Sequence, residues 1–407
     1  MAKNEISLKK IPEINVGVVG HIDHGKTTLL KSLTEKFTDT HSEELKRGIT
    51  IKLGYTETLI YQNGDDFSTK KLNEKYVPIR YVSFIDTPGH EMLMATMLSG
   101  AAIIDAAIIV IAANEGIKPQ TREHFVALQS KGINNIIIVQ NKIDLVTKEQ
   151  ALENYKKIKD FFKGTIAENS PIIPVSAQQG INIEKILEEL SKIKIPEKDK
   201  SSEPIFIVAR SFDVNRPGTK IENLKGGVLG GILKKGIFKL GDIIEIKPGR
   251  NLKKAHGKTE YQTLETKILS LNKGKDSVKE VEPGASISIE TALDPLLTKA
   301  DSLRGCIVAR KGILPEIRYD LKIKTQLFNE VMGLKIHKKV EPIKINELLM
   351  FNVNTNITVG TVEKISNEII EISLNIPVIT LEGDNVGIAR NIEGHWRLIG
   401  WGEILMN

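Results

Sequence analysis

The sequence predicts an α/β domain with a doubly wound, mostly parallel sheet, followed by two antiparallel β-barrels. A chain of 407 residues is longer than one hydrophobic core usually supports. Over residues 14–190, short apolar runs alternate with amphipathic helical patterns, as in a parallel sheet covered by helices. After a polar linker at 194–204, only short β-rich segments follow, separated by turn residues. We therefore predict domains at 1–200, 201–312 and 313–407.

The first domain contains five predicted strands. They are rich in β-branched residues and lack the alternation of a sheet with one solvated face, which indicates burial on both faces. The strands are Asn15–Gly20, Tyr81–Asp86, Ala106–Ala113, Asn135–Asn141 and Pro171–Ser176. The helices between them are Lys26–Glu35, Gln120–Lys131, Lys148–Phe162 and Ile183–Lys192.

The remainder of the chain predicts strands of a different kind, at the spacing typical of antiparallel barrels. In the second domain they include Ile205–Phe212, Gly227–Leu233, Asp242–Lys247 and Ser286–Glu290. In the third they are Ile317–Gln326, Glu347–Val353, Ile357–Ile365, Ile369–Leu374 and Val386–Asn391.

Composition excludes several classes of protein. The longest apolar stretch, Ala101–Ala113, contains Asp105 and is shorter than the roughly 20 residues of a membrane-spanning helix. No secretory signal begins the chain, and the single cysteine, Cys306, allows no intrachain disulfide, so we expect a cytoplasmic protein without a membrane partner. The net charge of +6 is concentrated at 201–350, where 27 Lys and Arg face 18 Asp and Glu. Such a surplus attracts polyanions, although it also suits an ordinary solvated surface.

A phosphate-binding loop follows the first strand. The segment Gly20-His-Ile-Asp-His-Gly-Lys-Thr27 fits G-x-x-x-x-G-K-[ST] and opens a helix. Glycines let backbone N–H groups surround phosphates, Lys26 places a charge on the β and γ oxygens, and Thr27 offers a hydroxyl to Mg²⁺.

Three further motifs follow later strands. In Asp86-Thr-Pro-Gly89, the aspartate can reach Mg²⁺ through water, and the Gly89 N–H can meet a γ-phosphate. In Asn141-Lys142-Ile-Asp144, the aspartate can accept hydrogen bonds from guanine N1–H and N2–H₂, a pair of donors that adenine lacks. Ser176-Ala177 can supply a backbone N–H to the guanine O6. In this order, the motifs predict a site for GTP and GDP with Mg²⁺.

A threonine in a polar stretch completes the predicted switch. Thr50, in Arg47-Gly-Ile-Thr50, could ligate Mg²⁺ and sense the γ-phosphate, so that its segment orders only with GTP.

These motifs resemble those of the translational GTPases, which include elongation factor Tu. GHIDHGKTT at 20–28, RGITI at 47–51 and DTPGH at 86–90 carry that likeness. More narrowly, THSEELKRGITIKLGY, DTPGHEMLMATMLSGAA, PQTREH, RSFDVNRPGT, KGGVLGG and RLIGWG are similar to the gamma-subunit family of archaeal and eukaryotic initiation factor 2. The compact amino terminus indicates the archaeal form.

The resemblance implies a role beyond nucleotide binding. It implies a heterotrimer with alpha and beta subunits that delivers methionylated initiator tRNA to the small ribosomal subunit. GTP hydrolysis, slow without a partner, would switch the protein to a state of low affinity.

The resemblance also assigns residues. His90 would orient the attacking water, which makes His90, Thr50 and Lys26 the catalytic candidates. Asp23 would join Thr27, Thr50 and Asp86 near the metal ion. The predicted nucleotide contacts are Asp23, His24, Gly25, Lys26, Thr27, Thr28, Gly89, Asn141, Lys142, Asp144, Ser176, Ala177 and Gln178.

One segment departs from the family pattern. Relatives often carry a zinc knuckle with paired cysteines before the DTPG motif, whereas the insert Tyr61–Arg80 contains neither cysteine nor histidine. Since a thiolate zinc site needs such ligands, we predict no structural zinc.

Rival interpretations share the nucleotide chemistry. The main alternative is an elongation-type tRNA carrier, including the selenocysteine-specific factor, which usually adds a further carboxy-terminal domain. A GTPase subunit of sulfate adenylylation would typically show Asp and Ser where this loop has His24 and Thr27. A scaffold with structural GTP is a third possibility. The residues that argue against it, without excluding it, are Lys26, Thr27, Thr50 and Asp86.

Overall fold

The fold was analysed in a computed structural model of the chain. The structure describes residues 13–35, 54–87, 103–195, 197–253, 259–273, 276–284, 286–331, 338–381 and 383–405. They form two compact units, of which the first contains the α/β domain and the second, from Glu197 onward, contains both barrels. None of the helices in the described ranges has the length and apolarity that crossing a membrane requires.

The α/β domain is built on a seven-stranded sheet with the order β3-β2-β4-β1-β5-β6-β7. The strands from β4 to β7 in this order are parallel, and β2 and β3 add an antiparallel edge. The strands are β1 Glu13–Gly20, β2 Gly54–Asn63, β3 Asp66–Ser68, β4 Val77–Asp86, β5 Ala106–Ala112, β6 Ile136–Asn141 and β7 Ile172–Pro174. The helices are α1 Lys26–Thr34, α2 Pro119–Ser130, α3 Lys148–Phe162 and α4 Ile183–Lys192.

Burial explains why these strands could be predicted from sequence. Every residue of β5 and β6 is buried, as expected for parallel strands covered on both faces. Helix α3 begins with a capping box, in which Thr147 Oγ1 accepts from the Gln150 N–H and the Gln150 side chain accepts from the Thr147 N–H. The carboxyl ends of β1, β4 and β6 meet at one edge of the sheet, which brings the loops after Gly20, Asp86 and Asn141 together.

The first barrel closes through a ring of six strands, β11-β16-β8-β9-β15-β12, because β12 also pairs with β11. Its core includes Phe206, Leu229, Phe238 and Ile289, all fully buried. The strands are β8 Ile205–Phe212, β9 Val228–Lys235, β10 Phe238–Lys239, β11 Ile243–Lys253, β12 Thr259–Lys273, β13 Asp276–Val278, β14 Glu280–Val281, β15 Ile287–Thr291 and β16 Ile307–Arg310.

The second barrel is also closed and antiparallel, with the order β17-β20-β19-β18-β21-β22. Phe351, Val362, Ile388 and Ile399 lie in its core. The strands are β17 Arg318–Leu327, β18 Leu348–Val353, β19 Asn356–Ser366, β20 Ile369–Val378, β21 Asn385–Ile392 and β22 His395–Ile404.

The predicted fold class is therefore confirmed, while several strands were missed. The named predicted strands do not include β2, β3, β10, β12, β13, β14, β16 or β22, and β7 is shorter than the predicted Pro171–Ser176. Strand β2 contains only two buried residues, so it presents no apolar run in the sequence. The domain limits at 200 and 312 stay predictions; β8 begins at Ile205 and β17 at Arg318.

A buried carboxylate joins the two barrels. Asp384, only 4% exposed, accepts hydrogen bonds from Asn354 Nδ2 at 2.7 Å and from the Leu381 N–H at 2.8 Å. Its other oxygen lies 3.2 Å from Lys234 Nζ on the first barrel. Thr355 Oγ1 donates across the same junction to the Val208 carbonyl at 2.9 Å. Removing the charge of Asp384 would leave Asn354 Nδ2 and the Leu381 N–H without a carboxylate to accept their hydrogen bonds.

We expect Asp384→Asn to destabilise the two-barrel unit by about 1–3 kcal/mol, since an amide cannot accept all of these hydrogen bonds. Urea unfolding followed by tryptophan fluorescence measures this, because Trp396 and Trp401 both lie on β22. Glu265→Gln is the matched control, since the pair of Glu265 with Lys311 is exposed. Equal unfolding midpoints for the two variants would contradict the role of the Asp384 cluster.

Candidate nucleotide-binding site

The loop between β1 and α1 depends on two glycines with left-handed backbone. Gly20 has φ 141° and Gly25, which caps α1, has φ 87°. A Cβ on Gly20 would lie 2.4 Å from the Val110 carbonyl oxygen, and one on Gly25 would lie 2.4 Å from Asn141 Nδ2. Both positions therefore exclude side chains.

Lys26 is held across this loop. Its side chain is buried, and Nζ donates to the Gly20 carbonyl at 3.0 Å and to the His21 carbonyl at 2.8 Å. The ammonium group therefore lies at the start of the loop, while the backbone of Lys26 is the first residue of helix α1. Helix N-termini and lysine charges both favour phosphate groups.

Two of the predicted magnesium ligands are brought together. Thr27 Oγ1 donates to Asp86 Oδ2 at 2.9 Å, although the residues are 59 positions apart. Asp86 is fully buried at the end of β4, and Thr87 fixes that end by donating from Oγ1 to the Val18 carbonyl at 2.7 Å. Hydroxyl and carboxylate oxygens are the donors that Mg²⁺ prefers, so this pair fits the ion.

Three predicted site residues lie outside the described part of the chain. They are Thr50, Gly89 and His90. The switch and water-orienting roles assigned to them stay predictions.

Asn141 ties together the loops of the predicted base site. Its Nδ2 donates to the His24 carbonyl at 3.0 Å, and its Oδ1 accepts from the Ala177 N–H at 3.0 Å. The side chain therefore fixes the phosphate loop and the Ser176-Ala177 loop relative to each other.

The other predicted base contacts surround Asn141. Lys142 adopts the left-handed conformation with φ 62°, and the next three residues form a 3₁₀ turn that leaves Asp144 exposed. Ser176 is buried, with its backbone paired to Ile181, whereas Gln178 is exposed. On the phosphate side, Asp23 is exposed with φ 60° and Thr28 is half-buried.

Two buried histidines belong to this region: His24 lies within the loop, and His124, which was not predicted as a site residue, contacts the loop from α2. His24 is fully buried, and burial lowers its pKa to about 3. His124 on α2 is also buried with a pKa lowered to about 3, mainly by burial and further by the charges of Lys26, His21 and His24. Its Nδ1 accepts the Gly20 N–H at 2.9 Å. The only sequence signal for His124 was its place in PQTREH.

We expect the stability of the protein to fall as the pH drops from about 6.5 towards 3. The folded-state pKa of His124 is depressed, so its contribution is complete above the unfolded pKa and is lost as the unfolded chain takes up the proton. One such group gives a slope of about 1.4 kcal/mol per pH unit. Urea unfolding followed by circular dichroism at several pH values measures it.

The control for this prediction is His124→Asn, which has no titrating group at position 124. Its unfolding free energy should depend on pH less steeply than that of the wild type, by about 1.4 kcal/mol per pH unit. Parallel pH profiles for the two proteins would show that His124 does not titrate as its burial requires.

An α/β domain with this loop, Asp86 and Asn141, followed by two β-barrels, defines a translational GTPase of the elongation factor Tu type. Residues 12–196 match the family model of the elongation factor Tu GTP binding domain, and residues 319–404 match the carboxy-terminal domain of initiation factor eIF2 gamma.

The chain belongs to the family of translation initiation factor 2 gamma subunits. It is 49% identical to translation initiation factor 2 subunit gamma of Aeropyrum pernix over 97% of this chain and 99% of that one. It is 50% identical to subunit gamma of Pyrococcus furiosus, over 96% of this chain and 97% of that one. The chain is thus a GTPase of translation initiation, and the predicted resemblance is confirmed.

Solved structures show the same fold at greater distance. A bacterial selenocysteine-specific elongation factor is 26% identical, with a TM-score of 0.73 over 97% of this chain, which spans 58% of that protein's length. Elongation factor SelB of Methanococcus maripaludis, in complex with the GTP analogue GppNHp, is 25% identical with a TM-score of 0.72, and the alignment covers 97% of this chain and 79% of that one. The identity to gamma subunits, 49–50%, is about twice the identity to these elongation factors. The comparisons therefore do not favour the elongation-type alternative.

Proposed function

We propose that the chain binds GTP and GDP with Mg²⁺ at the loop 20–27 and uses the nucleotide to control its affinity for tRNA. The observation that carries this proposal is the hydrogen bond of 2.9 Å between Thr27 and Asp86, which brings two hard oxygen donors together at the first turn of α1. When bound, Mg²⁺ would neutralise phosphate charge there. Asp23 and Thr50 would be its further ligands.

Different residues of this chain would bind the phosphates, the guanine base and the attacking water. Backbone N–H groups from Asp23 to Thr28 would surround the phosphates, with the Lys26 charge on the β and γ oxygens. Asn141 would hold the phosphate loop and the Ser176-Ala177 loop in fixed positions relative to each other. Asp144 would accept hydrogen bonds from guanine, and the backbone N–H at Ala177 would donate to the guanine O6. His90 would hold the attacking water once a partner sets the geometry, which is why unstimulated hydrolysis would be slow.

The tRNA that we propose as ligand follows from membership of the gamma-subunit family. As a gamma subunit, the chain would assemble with alpha and beta subunits and bring methionylated initiator tRNA to the small ribosomal subunit in the cytoplasm. The Lys and Arg surplus at 201–350, 27 against 18 acidic residues, supports contact with an RNA backbone. No structural zinc would be required, since the chain has a single cysteine and that side chain is buried in the first barrel.

Filter binding tests the cargo. We expect methionylated initiator tRNA to bind at least about tenfold more tightly with a non-hydrolysable GTP analogue than with GDP, a typical coupling between two sites. Elongator methionyl-tRNA is the matched control, and each tRNA is measured with and without the alpha subunit. Equal binding of the two tRNAs to the GTP-bound complex would remove initiator tRNA as the cargo.

A further inference from the structure

The strongest unassigned feature is the face of α2 that contacts the phosphate loop. Helix α2 buries four polar side chains, Thr121, Glu123, His124 and Ser130, beside the apolar Phe125, Ala127 and Leu128. Burying polar groups costs free energy unless they form hydrogen bonds, so apolar residues would serve a merely structural helix better.

His124 has a specific partner in the loop. Gly20 is the last residue of β1, paired with Val110 in the sheet, and its N–H donates to His124 Nδ1 at 2.9 Å, 104 residues away. Burial keeps the ring neutral, so the proton lies on Nε2 and Nδ1 is free to accept. The hydrogen bond fixes the peptide at which the strand turns into the phosphate loop.

We propose that His124 is a positioning residue for nucleotide binding, which holds the Gly20 peptide so that the phosphate loop is ordered before the nucleotide arrives. This inference rests on the proposed binding of GTP and GDP at loop 20–27. Without the acceptor, the buried Gly20 N–H loses its partner, and the loop relaxes to a conformation that satisfies it. Binding must then restore the loop, so the cost is seen in nucleotide affinity.

Two variants of similar size separate the acceptor from the packing. In His124→Asn, the amide oxygen takes nearly the position of Nδ1 and keeps an acceptor. In His124→Leu, a methyl group takes that position and keeps the apolar contacts. We expect His124→Leu to bind fluorescent GDP and GTP at least about tenfold more weakly than wild type, and His124→Asn to recover most of that loss.

The hydrolysis rate separates a binding role of His124 from a general loss of stability, which would not lower nucleotide affinity alone. At saturating GTP, the single-turnover rate of His124→Leu should stay within about threefold of wild type, since the variant changes binding and not the attacking water. Nucleotide affinities of the two variants that agree within twofold would overturn the inference, as would a slower hydrolysis step with unchanged affinity. Failure of the wild type itself to bind GDP would instead contradict the proposed function.

A measurement on the wild-type protein covers the case in which His124→Leu does not fold. In ¹⁵N-labelled protein with bound GDP, a scalar coupling should be seen between the Gly20 amide nitrogen and His124 Nδ1, across their hydrogen bond. Its absence, with both nitrogens assigned, would overturn the inference.

Discussion

Replacing Asp144 by Asn is expected to change the preferred nucleotide from GTP to xanthosine triphosphate. The carboxylate is predicted to accept hydrogen bonds from guanine N1–H and N2–H₂, and an amide can accept only one of them while its NH₂ group opposes the other. Xanthine carries an oxygen at position 2, which accepts from that NH₂ group. Sites that depend on such hydrogen bonds discriminate by about 10⁴, so we expect the GTP affinity to fall by at least about 10³.

The structure supports this role through the backbone around Asp144. The 3₁₀ turn 143–145 begins two residues after Asn141, whose side chain is held by the His24 carbonyl and the Ala177 N–H. The turn leaves the Asp144 side chain exposed. Competition between GTP and xanthosine triphosphate for a fluorescent analogue measures the change. Asp160→Asn, an exposed carboxylate on α3, is the control and should keep the wild-type preference. Unchanged selectivity in Asp144→Asn would remove the assignment of this residue.

Thr27→Val is expected to abolish most of the strengthening of nucleotide binding by Mg²⁺. Valine has nearly the shape of threonine but lacks the hydroxyl that lies 2.9 Å from Asp86 Oδ2. Since even indirect partners of a metal site change affinity by 10–100-fold, loss of a direct ligand should weaken Mg²⁺ binding by about 100-fold or more.

Titration of Mg²⁺ against the dissociation rate of fluorescent GDP measures this effect. The control is Ser32→Ala on the same helix, since Ser32 donates to the Leu29 carbonyl at 2.9 Å, away from Asp86. A Thr27→Val protein that retains the wild-type dependence on Mg²⁺ would show that the hydroxyl is not a ligand.

The site was predictable to the extent that its parts are local in the chain. Gly20, Gly25 and Lys26 lie within one motif, whose spacing follows from the geometry of a phosphate loop. The contact between Thr27 and Asp86 also followed, because parallel strands end at a common edge. Strands β5 and β6 were predicted because every residue in them is buried.

Features that depend on tertiary contacts were not predictable in the same way. The contact of His124 with Gly20 joins residues 104 positions apart, and a histidine in a helix carries no local sign of its partner. The cross-link formed by Asn141 depends on the distance between three loops. Strand β2 was missed because only two of its ten residues are buried, so its sequence reads as a polar segment.

Competition between purine nucleotides tests the central claim, that loop 20–27 and Asp86 form a magnesium-dependent site that Asn141 and Asp144 make selective for guanine. With fluorescent GDP bound to the wild-type chain in Mg²⁺, unlabelled GDP and GTP should displace it at comparable concentrations. ADP and ATP should fail at about 10³-fold excess, and removal of Mg²⁺ by a chelator should speed release. Equal displacement by ATP, or release that does not respond to the chelator, would contradict the account.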